Sequence, residues 1–432
     1  MSLFSALNTS VSGLTAQSAA FANISDNVAN SQSDGYKAVD TSFIDYLTTS
    51  TPTENEPGAV VTRPDYTNTV QGTISQSSDP LALAISGQGF FAVSVPSGVQ
   101  SGSGAPVFNP QTYYTRLGDF TLDKNGYLVN SGGAYLQGWS VNPQTGAVNQ
   151  SALGPIQINE TQFNPVPTAN VTLSANLPTS GGAGPFSSQV DVYDALGNQH
   201  TLTLSWTPNA AANSWTLNIY QDASPNPTAT ATVDFGTNGV AAGTIGDMST
   251  ATPGAAASAF AAGASATLSF SANFGQGAQP ITLDLGNYGE ATGVTQYASS
   301  SYSLRTLSQD GVPPGSFTGL TMSNTGDVVA NYNNGQSQVV AQVPVITFAN
   351  ADALQRQNAQ QFTATNESGP AIAQTQNTNG AGSLVTSSVE GSNVDIASEF
   401  SKLIVAQEAY SANAKLITSA DNMLQVTINM KT

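Results

Sequence analysis

The chain of 432 residues has nine lysines and arginines against 27 aspartates and glutamates, a net charge of -18; charged residues make up 8% of it, where soluble proteins average roughly 25%. That balance argues against nucleic acid or an anionic membrane as partner, and the absence of cysteine excludes disulfides, thiol catalysis and cysteine metal sites. The length allows two or three domains with their own cores, and no apolar run approaches the eighteen or so residues of a membrane span.

Residues 1–30 read as a helix. Leu7, Leu14, Phe21 and Val28 recur every seven residues, with Phe4, Val11 and Ile24 thickening the stripe. The first twenty-two residues, ending Ala19-Ala20-Phe21-Ala22, have the outline of a leader peptide. The first basic residue is Lys37, however, and polar residues interrupt every apolar run, so no cleaved signal is expected. The stretch from Ser31 to Lys37 is turn-forming, with Gly35 able to take positive φ. Residues 31–80, punctuated by Pro52, Pro57, Pro64 and Pro80, read as an extended connector rather than a core element.

Strand signals begin at residue 81. An apolar run over 81–95 contains Gly87 and Gly89; 113–122 alternates toward the turn Asp123-Lys124-Asn125-Gly126, and 127–129 returns as a hairpin before a further strand at 136–141. Residues 81–150 and 311–362 are assigned to an inner β domain, and 151–310 to an outer one. In the outer domain, strands 190–193, 200–206 and 215–220 are joined by turns at 194–197 and 209–213, the pattern of a barrel or sandwich. The tract 251–266 is a loop or poor helix, 349–360 a loop or short helix, and 363–392 a second polar connector.

Residues 393–432 carry the heptad series Ile396, Leu403, Tyr410, Ile417 and Leu424, with Phe400, Ala414 and Ile428 as a second series beside it. Ser392 and Asn393 are candidate caps, Asp395 and Glu399 suit the first turns, and Lys431 suits the end. Each terminal helix bears one apolar stripe and needs a partner. The reading is therefore a mainly β fold with α-helical termini packed as a coiled coil and nested, discontinuous domains inserted between them.

Chemistry of other kinds finds little support. His200 is the only histidine, so a histidine triad or multi-histidine metal site is excluded, and it reads as a strand or turn residue. Asp191 and Asp194, as a carboxylate pair, would suit glycoside hydrolysis, but at a strand end and turn such residues ordinarily serve the backbone. Gly87 and Gly89 lack the third glycine of a dinucleotide loop and read as a strand bulge. Gln407 and Asp421 fall on seam positions, where they either fix register between helices or face a channel. No cofactor or metal is expected.

Several stretches resemble the bacterial flagellar rod and hook axial proteins, the hook branch most closely. Asn27-Val28-Ala29-Asn30 with Gly35-Tyr36-Lys37 resembles the N-terminal signature of that family, with Ser33 where the family usually has Thr. Leu83-Ala84-Ile85-Ser86-Gly87-Gln88-Gly89-Phe90-Phe91 and Tyr114-Thr115-Arg116-Leu117-Gly118-Asp119-Phe120 are similar to the domain shared by its rod and hook subunits. At the C-terminus, Asn393 and Asp395, Gln407 and Asn413 stand within the most specific match. Val192-Tyr193-Asp194-Ala195-Leu196-Gly197-Asn198 resembles the hook outer domain, which favours hook over distal rod.

The resemblance implies a non-enzymatic structural subunit that polymerises with itself into a curved extracellular tube, a universal joint carrying motor torque. It also implies rod and hook–filament junction proteins, a hook cap and the flagellar export apparatus as partners, with export that leaves the N-terminus uncleaved. Phe43 to Leu47 resembles a short export motif of the type Phe, three residues, apolar residue. The reading from another class is a secreted carbohydrate-active enzyme or adhesin, which has no need of two long paired helices.

Overall fold

The computed structural model describes residues 3–50, 55–100, 102, 104–142, 145–158, 162–179 and 184–430, without the side chains of 3–5, 48–50, 55–57, 427 and 428. Phe4 and Ile428 of the expected seam therefore lie outside the described side chains. Among the described residues, α-helix occurs only at the two ends, as α1 (Leu3–Ala29) and α2 (Ile396–Asn429), and the chain between them is β-structure. At 1.5 Å per residue, α2 is about 50 Å long.

The chain divides into two compact units, the first comprising 1–160, 319–331 and 337–432, and the second 161–318 and 332–336. This moves the expected border of 151 into the interior of a strand. Val148–Pro155 pairs antiparallel with Tyr135–Val141 across a bulge, so it belongs to the first unit. Gly154-Pro155 looks like a linker in sequence, but the register shifts after Asn149 and pairing resumes at both residues.

In the first unit, α1 is followed by a twelve-residue antiparallel ribbon, β1 (Val39–Ser50) and β2 (Asn55–Tyr66). The ribbon corrects the expectation of an extended connector over 31–80. Pro57 and Pro64 sit opposite Leu47 and Thr41, and a two-stranded ribbon leaves one edge of each strand unpaired, where a missing N–H costs little. The ribbon lies along α1: Thr9 Oγ1 donates to Gly58 O, Val60 N donates to Ser12 Oγ, and Asn23 Nδ2 donates to Thr41 Oγ1. β3 (Ile74–Gln76) and β4 (Leu83–Ser86) follow, then β5 (Phe91–Val99) and β6 (Pro106–Thr115).

A larger sheet includes, in spatial order, Asp327–Tyr332, Ser337–Gln342, Tyr135–Val141, β5, β6 and Gln361–Thr363. The second expected connector, 363–392, is also partly strand. Ile372–Gln374, Ser383–Thr386 and Ser388–Glu390 pair with Val345–Thr347, β4 and β3. These strands have three or four residues, and two of them have partners hundreds of positions away, so no local periodicity announces them. Residues 351–353 form one 3-10 turn within the stretch read as loop or short helix.

The second unit is a sandwich of two five-stranded sheets. One is a meander in chain order from Phe186–Tyr193 to Ile245–Thr250. The other places Asn170–Asn176 between Ala278–Asn287, to which it is parallel, and Ser303–Gln309, to which it is antiparallel. Alternating burial along Ala229–Phe235 and Ser265–Asn273 is the period of two that a half-buried strand requires, and Leu173, Trp206, Ile219, Phe235, Leu268 and Leu283 share the core. The tract 251–266 contributes the short strand Ala256–Ala257.

Asp194 accepts backbone N–H bonds from Leu196 and Asn198, so it serves its own turn. His200 sits between Asp222, at 2.8 Å, and Asp194, at 3.5 Å, and stacks on Phe274. Gly87 and Gly89 follow β4 as a turn with φ of 102° and 131°, not a bulge inside a strand.

Candidate functional site

The residues singled out at the two termini converge where α1 ends, β1 begins and α2 starts. Asn27 is fully buried in the last turns of α1 and uses its whole carboxamide. Its Oδ1 accepts from Val39 N at 3.0 Å and Tyr36 OH at 3.2 Å, while Nδ2 donates to Val39 O and to Glu399 Oε2, each at 3.0 Å. One side chain thereby extends the backbone pairing of β1 and ties it to both helices. Glu399, 3% exposed on the first turn of α2, also accepts from Lys402 Nζ, which bridges to Asp40. Burial alone would lower the Lys402 pKa, but hydrogen bonds from its ammonium to Asp40 and Glu399 outweigh it and raise it.

Asn393 plays the matching part before α2. Its Oδ1 accepts from Ala38 N at 2.7 Å, and its Nδ2 donates to Thr67 O, Thr67 Oγ1 and Val70 O. It is a strut between segments, whereas the cap is Asp395, whose Oδ1 accepts from Ala397 N and Ser398 N. That corrects the expectation that Ser392 and Asn393 cap α2: the helix starts later, and Asp395 stands before its first turn.

Asn30 caps the end of α1 locally through Asp26 O and Asp26 Oδ1. Gly35 has φ of 69°, and a Cβ there would lie 2.7 Å from Leu117 N, so both conformation and space demand glycine. Tyr36 is buried with its OH on Asp26 and Asn27 and the Arg356 guanidinium 4.3 Å above its ring; burial foremost raises its pKa.

Beneath this junction lies a buried ion cluster that the sequence reading did not identify. Glu390 accepts from Lys37 Nζ at 2.6 Å on one oxygen and from Arg116 at 2.9 Å on the other, and each of the three side chains is at most 1% exposed. Lys37 also donates to Val70 O, Gly72 N donates to Glu390 Oε1, and Arg116 reaches Ile85 O and Gly87 O. Burial lowers the Lys37 pKa despite Glu390, and Arg116 lowers it further. The available signal was the scarcity of cations: with nine in the chain, Lys37 stands between Tyr36 and Ala38, and Arg116 between Thr115 and Leu117.

The helices run antiparallel and meet through small side chains. Ala16, Ala20 and Ile24 of α1 and Ala406 and Ala420 of α2 are buried, and a Cβ on Gly13 would come within 3.0 Å of Asn413 Nδ2. The buried or half-buried stripe of α2 runs through Glu399, Ala406, Asn413 and Ala420, with Leu403, Ile417 and Leu424 half-buried beside it. Of the second series expected through Phe400 and Ala414, Ala414 is half-buried and Phe400 is exposed, while the fully buried positions Glu399, Ala406 and Ala420 stand one residue before that series. Phe21 meets Tyr410 edge-on at 6.3 Å, and Leu7, Leu14 and Val28 are half-buried.

Large apolar side chains remain in solvent: Val11 is 51% exposed, Ile396 43%, Phe400 51% and Tyr410 43%, joined by Ile404, Val405 and Leu416. Gln407 and Asp421 are exposed, and Asp421 accepts a hydrogen bond from Gln425 of its own helix. Phe43 and Leu47 are exposed on β1. Between α1, β1 and α2 opens a groove of about 600 Å³, whose lining includes Ile24, Val39, Phe43, Lys402 and Val405.

Four family signatures match the chain: "Flagella basal body rod protein" at 7–37, "Flagellar hook protein FlgE/F/G D1 domain" at 84–176, "Flagellar basal body protein FlaE D2 domain" at 158–312 and "Flagellar basal body rod FlgEFG protein C-terminal" at 385–430. The chain is 30% identical over 443 residues to the flagellar hook protein FlgE of Salmonella typhimurium, covering 98% of each. It is 29% identical over 436 residues to that of Brucella abortus, covering 100% of each. A crystal structure of Helicobacter pylori flagellar hook protein FlgE2 superposes with a TM-score of 0.47 at 15% identity, covering 72% of this chain and 98% of that one.

Proposed function

The chain belongs to the flagellar hook protein family and is a structural, non-enzymatic subunit of the bacterial flagellar hook that polymerises with itself, and we propose that the paired terminal helices are the surface through which it does so. The observation that carries this reading is the row of large apolar side chains that α2 leaves in solvent after packing on α1: Ile396, Phe400, Ile404, Val405 and Leu416. Large apolar side chains left in solvent on both flanks of a packed helix mark protein–protein contacts. In a helical homopolymer the contact is heterologous, one face of a subunit meeting a different face of the next. The helices form the inner wall of a tube, the β units stand outside it, and the tube serves as the curved joint that carries torque to the filament.

The resemblance to the rod and hook axial proteins extends the proposal to further partners: rod proteins, hook–filament junction proteins, the hook cap and the flagellar export apparatus. Phe43 and Leu47, exposed on β1, are the proposed export motif.

Substituting Leu14 or Leu403 by Asp tests the assignment. Each side chain is half-buried in the helix pair, and a carboxylate there would lack a cation. Electron microscopy of the purified variants is expected to find no tubes while circular dichroism retains the β signal. Normal tubes from both variants would remove the helices from the assembly surface.

A further inference from the structure

The cluster of Lys37, Arg116 and Glu390 joins three parts of the chain that lie far apart in sequence. Lys37 belongs to the segment that leaves α1, Arg116 follows β6, and Glu390 ends the strand that leads to α2. Lys37 and Glu390 are 353 positions apart, and Arg116 and Glu390 are 274 apart. The three charges sum to +1, and no water-exposed route relieves them, since their side chains are at most 1% exposed.

A buried ion pair is poor evidence for stability as such, because desolvation offsets much of the attraction. Removing one partner is nevertheless strongly destabilising, because it strands a buried charge. Here the stranded state has a definite meaning. If the segment carrying Lys37 docks before Glu390 is present, an ammonium and a guanidinium are buried side by side with no carboxylate between them. Desolvation and repulsion both oppose that state. The docked segment would also lose the acceptor for Gly72 N. Backbone hydrogen bonds couple the same two segments: Gly35 N donates to Glu390 O at 2.7 Å and Gly391 N to Thr73 O at 2.9 Å.

We propose that Lys37, Arg116 and Glu390 form a two-arm latch that prevents the segment after α1 from docking on the β-structure until the segment before α2 supplies Glu390. Both helices then become anchored in one step, and a chain lacking its C-terminal part in place keeps its N-terminal arm undocked. The latch is a property of the single subunit and stands whether or not α1 and α2 form the polymer contact.

The test is pulsed amide hydrogen exchange during refolding of the full chain, with Glu390→Gln and the apolar triple variant Lys37→Met, Arg116→Met, Glu390→Leu alongside. In the natural chain, the amides of Tyr36 and Val39, whose acceptors Ser33 O and Asn27 Oδ1 belong to the N-terminal arm, are expected to gain protection together with those of 388–393. In Glu390→Gln, exchange at both segments at equilibrium should rise at least about tenfold, the scale of losing one hydrogen bond to a charged group, while 186–287 stays protected. The triple variant, with no charge to compensate, should protect Tyr36 and Val39 ahead of 388–393. Protection of Tyr36 and Val39 ahead of 388–393 in the natural chain, or simultaneous protection of them in the triple variant, would overturn the latch. So would loss of protection in 186–287 in Glu390→Gln, since the cluster would then be required for folding as a whole.

Discussion

Asn27 and Glu399 are 372 positions apart and share a buried 3.0 Å hydrogen bond, the contact by which the end of the first helix recognises the start of the last. The other atoms of the Asn27 carboxamide complete the edge of β1, so one residue sets both the helix pairing and the departure of the ribbon.

Replacing Asn27 with Ala is expected to strand Val39 N, Val39 O and one Glu399 oxygen in a buried space. The expected loss is about 1–3 kcal/mol, the cost of unsatisfied buried polar groups. Asn27→Asp should be worse than its size suggests, because it brings a second carboxylate to Glu399 and removes the donor. Urea unfolding of the two variants checks this, and an unchanged midpoint for Asn27→Asp would contradict the role given to Nδ2.

Gly35→Ala meets two obstacles at once. Its φ of 69° disfavours any side chain, and the new Cβ would press on backbone at Leu117, which cannot rotate away. A loss of more than about 1 kcal/mol is expected. Gly133→Ala is the control: its φ of 74° is similar, but no atom lies within 4 Å of the new Cβ. Thermal melts should rank Gly35→Ala well below Gly133→Ala.

The lysines of the junction give opposite pH responses. Burial lowers the Lys37 pKa, so between that value and the ordinary lysine value the unfolded chain binds more protons, and stability rises with pH through that window. Lys402 is raised by its bonds to Asp40 and Glu399 against the effect of burial. Its contribution is complete below the ordinary lysine value and is lost as pH climbs through the raised one. Lys37→Met should remove the rising part of a stability profile taken over about pH 8 to 11, and Lys402→Met the falling part. A Lys37→Met profile that still rises would contradict the first assignment.

How much of this was legible in the sequence depended on whether a feature is local. The heptads of Leu7 to Val28 and Ile396 to Leu424 are local, as is the alternation of strands such as Ala229–Phe235, so the mainly β fold with helical ends could be read directly. The inter-helix stripe was only partly legible, because periodicity marks large apolar residues. The helices instead meet through Gly13, Ala20 and Ala406, small residues whose value is the space they leave. Asn27, Gly35, Tyr36, Asn393 and Asp395 were marked by resemblance, but the bonds that give Asn27 and Asn393 their roles reach across most of the chain. The ribbon of β1 and β2 was hidden because prolines read as breaks when the partner strand, with its free edge, is not yet in view.

The central claim is that the terminal helices are completed by neighbouring copies. Amide hydrogen exchange on the free chain and on assembled tubes tests it most directly. Isolated amphipathic helices are marginal, and α2 leaves Phe400, Ile404, Val405 and Leu416 in solvent. Beyond the Asn27–Glu399 anchor, residues 7–20 and 406–426 are therefore expected to exchange readily in the free chain and to become strongly protected in tubes, while 186–287 remain equally protected in both. Equal protection of the helices in free and assembled chains would contradict the account.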